Sequence, residues 1–331
     1  MSKINEKSTL NVKLTVKPIL FTMYHIHAYM GPCRYGEGYA LTTESDMEVT
    51  QKDFALKEEQ IQKALEDDAK TDFYLIRGLR ISSYFAVELS KRTDKPIGHT
   101  PNKSAISKCD HVDMTAHLFA EGKPGYAFLD FEEMNRTFAA LRVKKALACT
   151  KIFFPLKSAM LTFGCQSSYL NLEDITRKFK VRFSHVNSDE VFQWLDALTD
   201  EEKAEAKALA DKLEKESQGV HMPAEYILND TEFYETIKKM MAHYDCNAFT
   251  IPCFEVCATR ELNRRRLTFC LAHSLFKDEG IASACAGDVG SVLTITILMN
   301  IARKAPYMGN TMVLDKNTNQ CRTLHDVACA Q

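Results

Sequence analysis

The side chains of this chain that can move protons or hold a cation fall at a few separated points. Glu255 and Asp288 are carboxylates next to short apolar runs, and Asn310 is an amide just after Gly309. His25 and His27 stand near one end of the chain and His325 near the other. Carboxylates at such points suit general acid–base work on a small polar substrate. Asn and His add substrate-binding or metal-ligating donors. Each also has a structural reading. Asp288 precedes a helical pattern and fits an N-cap. Glu255 opens a charged helical pattern, where the helix dipole favours it. His25 and His27 are two apart and so face the same way on a strand. Followed by the glycine-punctuated stretch 30–38, they read either as a strand-end pair with a substrate loop or as a polar strand end with a surface turn.

These groups need elements to position them. In 246–315, the apolar runs 249–254, 281–286 and 306–312 alternate with two helical patterns, the first of them charged. That alternation predicts three neighbouring strands of one parallel sheet. Ligands of open α/β sheets bind beyond the carboxyl ends of the strands, so Glu255, Asp288 and Asn310 are expected to converge on one polar site. Upstream, strands are expected at 19–28, 72–79 and 95–99, with helices over 54–68, 84–92, 112–120 and 131–147. A second round opens at 151–156, with a helix over 172–179 and a strand over 181–186. Helices follow over 199–218, where Thr199 and Glu202 fit a capping box, and over 223–244, with Pro223 at its start. The loop 164–168 lacks the Lys and the glycine spacing of a phosphate-binding loop and reads as a structural turn. The fold class is α/β, with two consecutive parallel-sheet (Rossmann-like) domains. The expected division is a polar leader 1–16, an N-terminal domain 17–147, a second domain 148–315 carrying the site, and the start of a truncated third domain at 316–331.

The chain has 331 residues, 45% hydrophobic and 26% charged, which indicates a folded chain long enough for two cores. A formal net charge of −2 gives no field for nucleic-acid binding. Arg264, Arg265 and Arg266 form a local basic spot that reads as a solvated helix face or an anion site. The 11 Cys are scattered, with Cys165, Cys246, Cys253, Cys270 and Cys285 inside expected elements, as small buried thiols often are. Without Cys-x-x-Cys pairs a structural zinc site is not expected, though Cys253 and Cys257 span a strand end and a helix start and leave a metal reading open. No apolar signal core and no membrane-length apolar run occur, which points to a reducing, cytoplasmic setting without a membrane partner.

Cys285-Ala286-Gly287-Asp288-Val289, the apolar helix through Leu293 to Leu298, Tyr307-Met308-Gly309-Asn310 and Leu324-His325-Asp326-Val327 together resemble the L-fucose isomerase-like and L-arabinose isomerase-like proteins. The order of two upstream α/β domains agrees. The resemblance implies aldose–ketose isomerisation of a small-molecule sugar through an ene-diolate, with Mn2+ as the Lewis acid. It implies proton transfer by Asp288 and Glu255, metal ligation at His325 and Asn310, and substrate binding at His25, His27 and Asn310. It also implies a homo-oligomer in which the first domain reaches a neighbour's site. The chain departs from the pattern where it matters most. Ala286 replaces the metal-ligand Glu, Asn310 replaces an acidic residue, and a further domain that supplies a His is not seen. The alternative is therefore a catalytically silent relative that binds a sugar or partners a full-length subunit. A sugar-binding module of periplasmic type also fits two α/β domains, but the sequence shows no signal core for it.

Overall fold

The computed structural model describes residues 6–22, 39–41, 45–48, 58–77, 81–101, 105–157 and 171–324. The chain divides into two compact units, 13–142 and 1–12 with 143–331. Each is built on a wholly parallel sheet, so the fold is α/β with two parallel-sheet units in succession.

The unit 13–142 contains β1 (Leu14–Thr22), β2 (Tyr39–Leu41), β3 (Ser45–Glu48), α1 (Glu58–Leu65), β4 (Phe73–Arg77), α2 (Ile81–Ser90), β5 (Ile97–His99), α3 (Ala105–Ala120), β6 (Gly125–Ala127) and the start of α4 (Phe131–Ala148). The strand order is β2-β1-β4-β5-β6, with β3 also on β1. Strand β4 shows why the sheet is covered on both faces. Phe73 and Leu75 pack with Leu14, Val16, Met134 and Phe138. Tyr74 and Ile76 pack with Ile19, Phe85, Leu89 and Leu118. Alternate side chains point to opposite faces, and both sets are apolar, as a parallel sheet between helices requires. Gly98 of β5 has no room for a side chain, because a Cβ there would meet the Phe73 ring at 2.7 Å.

The other unit contains β7 (Lys151–Phe153), α5 (Leu172–Phe179), β8 (Arg182–Ser184), α6 (Ser188–Asp196), α7 (Asp200–Glu216), α8 (Ala224–His243), β9 (Ala248–Thr250), α9 (Cys253–Ala258), α10 (Glu261–Arg265), α11 (Cys270–Asp278), β10 (Ala282–Ala284), α12 (Val289–Ala302), β11 (Asn310–Asp315) and β12 (Gln320–Leu324). Its four-stranded sheet has the order β10-β9-β7-β8. Phe153, Phe249 and Ile251 face a core shared with Phe192, Phe233, Ile237 and Phe276. Ile152, Ala248, Ala282 and Ala284 face the opposite core with Ile175, Val292 and Ile295. Burying one such Phe or Ile side chain contributes about 1.5–3 kcal/mol.

Four expectations are corrected. Residues 8–16 of the expected polar leader are built into the fold. The Ser8 hydroxyl caps a 3-10 turn over Thr9–Asn11 and donates to the Gly280 carbonyl. Asn300 Nδ2 donates to Thr9 Oγ1 at 3.1 Å, Arg303 donates to the Leu10 carbonyl at 2.8 Å, and Leu14 already begins β1. The run 306–312 does not join the second sheet. Its last residues start β11, which pairs antiparallel with β12 in a separate two-stranded sheet. The turn chemistry of Asp315, Asn317 and Asn319 closes that local hairpin: Asp315 Oδ1 accepts from the Asn317 N–H at 2.9 Å and Asn319 has φ 52°. The same hairpin takes up residues through Leu324 of the stretch expected to open a truncated third domain. Finally, the charged stretch after Glu255 is three short helices, α9, α10 and α11, interrupted by left-handed backbone at Arg260 and Arg266. Among the described residues no helix is long and apolar enough to cross a membrane.

Candidate functional site at the switch between β7 and β9

Strand order sets the place of the site. From β7 the chain moves outward to β8, and from β9 it moves the other way to β10, so the connections diverge between β7 and β9. A crevice opens at such a reversal, beyond the carboxyl ends of the strands. Three segments enter it. The residues after β7 run to Lys157, held in line by a parallel bridge between Leu156 and Asn187. The residues after β8 reach Asn187, whose side chain caps α6 by accepting from the Asp189 N–H at 2.9 Å. The residues after β9 turn at Pro252 into α9 and α10.

These segments enclose a cavity of about 260 Å3, with Phe192 and Val256 as apolar lining and Lys157, Ser188, Asp189, Thr259, Glu261 and Arg264 as polar lining. Lys157 Nζ pairs with Asp189 Oδ1 at 2.9 Å, and Arg264 pairs with Glu261. Two cations and two carboxylates leave the lining close to neutral. Ser188 is 1% exposed, and among the described residues its hydroxyl has no hydrogen-bond partner. A buried hydroxyl left unpaired costs about 1–3 kcal/mol. Donors and acceptors of both kinds around a small space, without excess charge, suit a neutral, hydroxyl-rich molecule of small size.

Glu255 lies at the edge of this crevice, on the first turn of α9, and its Oε2 accepts from the Lys157 N–H at 3.1 Å. Asp288 lies at the end of β10 and serves as the N-cap of α12. Its two oxygens accept from the Ser291 N–H at 2.9 Å and the Ser291 hydroxyl at 2.8 Å. Both carboxylates expected at strand ends are thus at the ends of neighbouring strands. Asn310 is not with them: it is exposed and begins β11 of the separate hairpin. His25, His27 and His325 lie outside the described residues.

The donor set beside Asp288 tests the manganese expectation. Ala286 sits in the left-handed turn between β10 and α12, with φ 62° and 5% exposure. Its neighbours are thiols: Cys285 is buried, and Cys253 Sγ lies 3.5 Å from Cys285 Sγ. Mn2+ favours oxygen ligands and thiols are soft donors. Among the described residues no three His, Cys, Asp or Glu side chains group to hold a metal ion. The residues described here do not fit the manganese centre.

The arginine spot of 264–266 resolves into ion pairs. Besides the Arg264–Glu261 pair, Arg265 meets both Asp196 oxygens at 2.6 and 2.8 Å, and Arg266 meets Glu225 at 2.6 Å. A second, larger cavity of about 510 Å3 is lined by Val220, Met222, Ile227, Leu271 and Cys270 beside Asp230. Burial pushes the Asp230 carboxyl up to about 6, although the Thr268 N–H and hydroxyl each donate to it at 2.7 Å.

Lys157, Ser188, Asp189 and Glu261 escaped the sequence reading, which named Arg264 only within the basic spot 264–266. A signal for two of them was present, since Asn187-Ser188-Asp189 is an N-cap sequence directly after a strand. The switch between β7 and β9 needs the strand order, which no single segment displays. No protein-family model matches this chain, and no curated protein matches it significantly.

Proposed function

We propose that this protein is a sugar isomerase-like scaffold that binds a neutral sugar in the crevice between β7 and β9 and does not carry the manganese-dependent isomerisation. The observation that carries the reading is the charge-balanced polar cavity at the topological switch, whose lining includes Ser188, a residue whose buried hydroxyl has no partner among the described residues. A sugar hydroxyl satisfies it. Asp189 and Glu261 accept from further hydroxyls, and Lys157 and Arg264 donate. What supports the silent half of the reading is the turn after β10. A methyl group stands at Ala286, and the Asp288 carboxylate is engaged with Ser291 through both oxygens. A carboxylate held as a helix cap is poorly placed to shuttle a proton between carbons. The homo-oligomer belongs to the same reading through the resemblance of residues 285–289 and 307–310, and the cytoplasmic setting through the scattered cysteines without paired motifs.

The experiment is a ketose-formation assay on a panel of aldoses with manganese supplied, run beside a calorimetric titration of manganese. The expected result is no turnover above buffer and manganese binding no tighter than millimolar. Turnover with micromolar manganese affinity overturns the silent reading, and a ligand set including His325 then becomes the site to map.

A further inference from the structure

Cysteines concentrate at one point of the fold. Cys253 follows β9 and Cys285 follows β10, two strands paired side by side in parallel register from Ala248↔Ala282 to Thr250↔Ala284. Their sulfurs are 3.5 Å apart, and Cys270 from α11 packs on the same spot with Met308. A disulfide bond is about 2.05 Å long, so small side-chain adjustments separate this thiol pair from a covalent bridge. The two thiols are not equivalent. Cys253 is partly exposed and Cys285 is buried. The two sulfurs share one S–H···S hydrogen bond in which either can donate. Donors on one sulfur favour its thiolate. Cys253 is accordingly held down to about 7, by the Cys285 thiol first and the backbone second, against the effect of burial. Cys285 is pushed up by its bond to Cys253 and by burial. One sulfur is placed as an accessible nucleophile, and the other stands behind it as a protonated partner.

We propose that Cys253 and Cys285 form a redox-active dithiol that takes up small-molecule disulfides, with Cys253 as the attacking thiol and Cys285 as the resolving one. In the first exchange the Cys253 thiolate attacks one sulfur of the small disulfide. A mixed disulfide forms on Cys253, and the departing thiolate takes up the proton that Cys253 gave to solvent. In the second, Cys285 loses its proton and attacks Cys253 Sγ. The mixed disulfide breaks and the second small thiol leaves. The protein dithiol is oxidised by two electrons to a Cys253–Cys285 disulfide, and the small disulfide is reduced to two thiols. The bridge ties the end of β9 to the end of β10, next to the Ala286–Asp288 turn. The proposal does not depend on what the crevice between β7 and β9 binds.

The probe is oxidised glutathione, applied to the full folded chain at pH 7 and quenched with an alkylating reagent before tryptic digestion. Cleavage after Lys239 and Arg260 places Cys246, Cys253 and Cys257 on one peptide, and cleavage after Lys277 and Arg303 places Cys285 alone on another. The expected product is these two peptides joined, with fragmentation assigning the bond to Cys253. Cys257→Ser leaves that product unchanged. Cys285→Ser, shown to be folded by its thermal unfolding midpoint, accumulates a glutathionyl group on Cys253 instead. In that variant the midpoint of Cys253 reactivity against pH moves upward, because the donor thiol is gone. The proposal is overturned if the wild-type chain gives no Cys253–Cys285 peptide. It is equally overturned if Cys253 in the wild type reacts no faster at pH 7 than the exposed Cys149. The wild-type mapping needs no variant, so a folding failure of Cys285→Ser leaves the proposal exposed to refutation.

Discussion

The carboxylate of Asp288 holds Ser291 twice, through its N–H at 2.9 Å and its hydroxyl at 2.8 Å. That relationship fixes the start of α12. The sequence left Asp288 open between a cap and a catalytic group, and the geometry makes it a cap. Asp288→Ala is expected to lower stability by about 1 kcal/mol, the usual cost of a lost N-cap. Asp288→Asn is expected to stay within a few tenths of a kcal/mol on the same principle. Urea denaturation of the three proteins measures this. Equal loss in the Asn and Ala variants contradicts the capping role.

Ala286 adopts φ 62°, a left-handed conformation that costs an L-residue about 1 kcal/mol. Gly287 beside it has φ 70°, so the turn after β10 carries two left-handed residues in succession. Ala286→Gly is expected to stabilise the protein by roughly 0.5–1 kcal/mol, with part of the relief offset by unfolded-chain entropy. The urea midpoint reads the result, and a lower midpoint argues against strain at this turn.

Asp230 gives stability a specific pH dependence. Its folded carboxyl sits at about 6, raised by burial from 3.8 in the free residue. Between those values the folded state holds more protons than the unfolded one, so stability from this group falls as pH rises from about 4 to about 6. Asn at this position keeps an acceptor for the Thr268 N–H and does not ionise. Asp230→Asn is therefore expected to gain on wild type by about 2–3 kcal/mol between pH 4 and pH 7, at 1.36 kcal/mol per pKa unit. Paired denaturation curves at the two pH values test it. A constant difference between the proteins contradicts a raised Asp230.

Much of the framework was legible because it rests on local chemistry. Thr199 and Glu202 form the reciprocal capping box that their spacing predicts, with hydrogen bonds of 3.2 and 2.9 Å. The runs containing Phe249 and Ala282 do pair in parallel, since each is a short apolar segment bounded by turn residues. The run 306–312 looked equivalent by composition. Its pairing was decided by the hairpin turn at 316–319, a competing local signal that the strand–helix rhythm hides. Ser8 to Leu10 read as a polar leader, because short polar side chains that cap and bridge look the same in sequence as solvated ones. The crevice itself was not legible. Lys157, Ser188 and Glu261 are far apart in sequence and meet only through the order β10-β9-β7-β8.

The Ser188 hydroxyl separates ligand binding from folding. Removing an unpaired buried hydroxyl relieves a desolvation cost, so Ser188→Ala is expected to leave stability unchanged or raise it by up to about 1 kcal/mol. Its effect belongs on the ligand. Thermal unfolding with and without a saturating sugar distinguishes the two, and a clear loss of stability in the sugar-free variant contradicts an unpartnered Ser188.

Calorimetric titration of a panel of neutral aldoses and ketoses into the protein, with a chelator present, tests the central claim most directly. The account predicts saturable binding of at least one sugar in the chelator. It also predicts that Ser188→Ala weakens that binding about tenfold, the equivalent of one lost hydrogen bond near 1.4 kcal/mol. Sugar binding that appears only when manganese is added, or that Ser188→Ala leaves untouched, contradicts it.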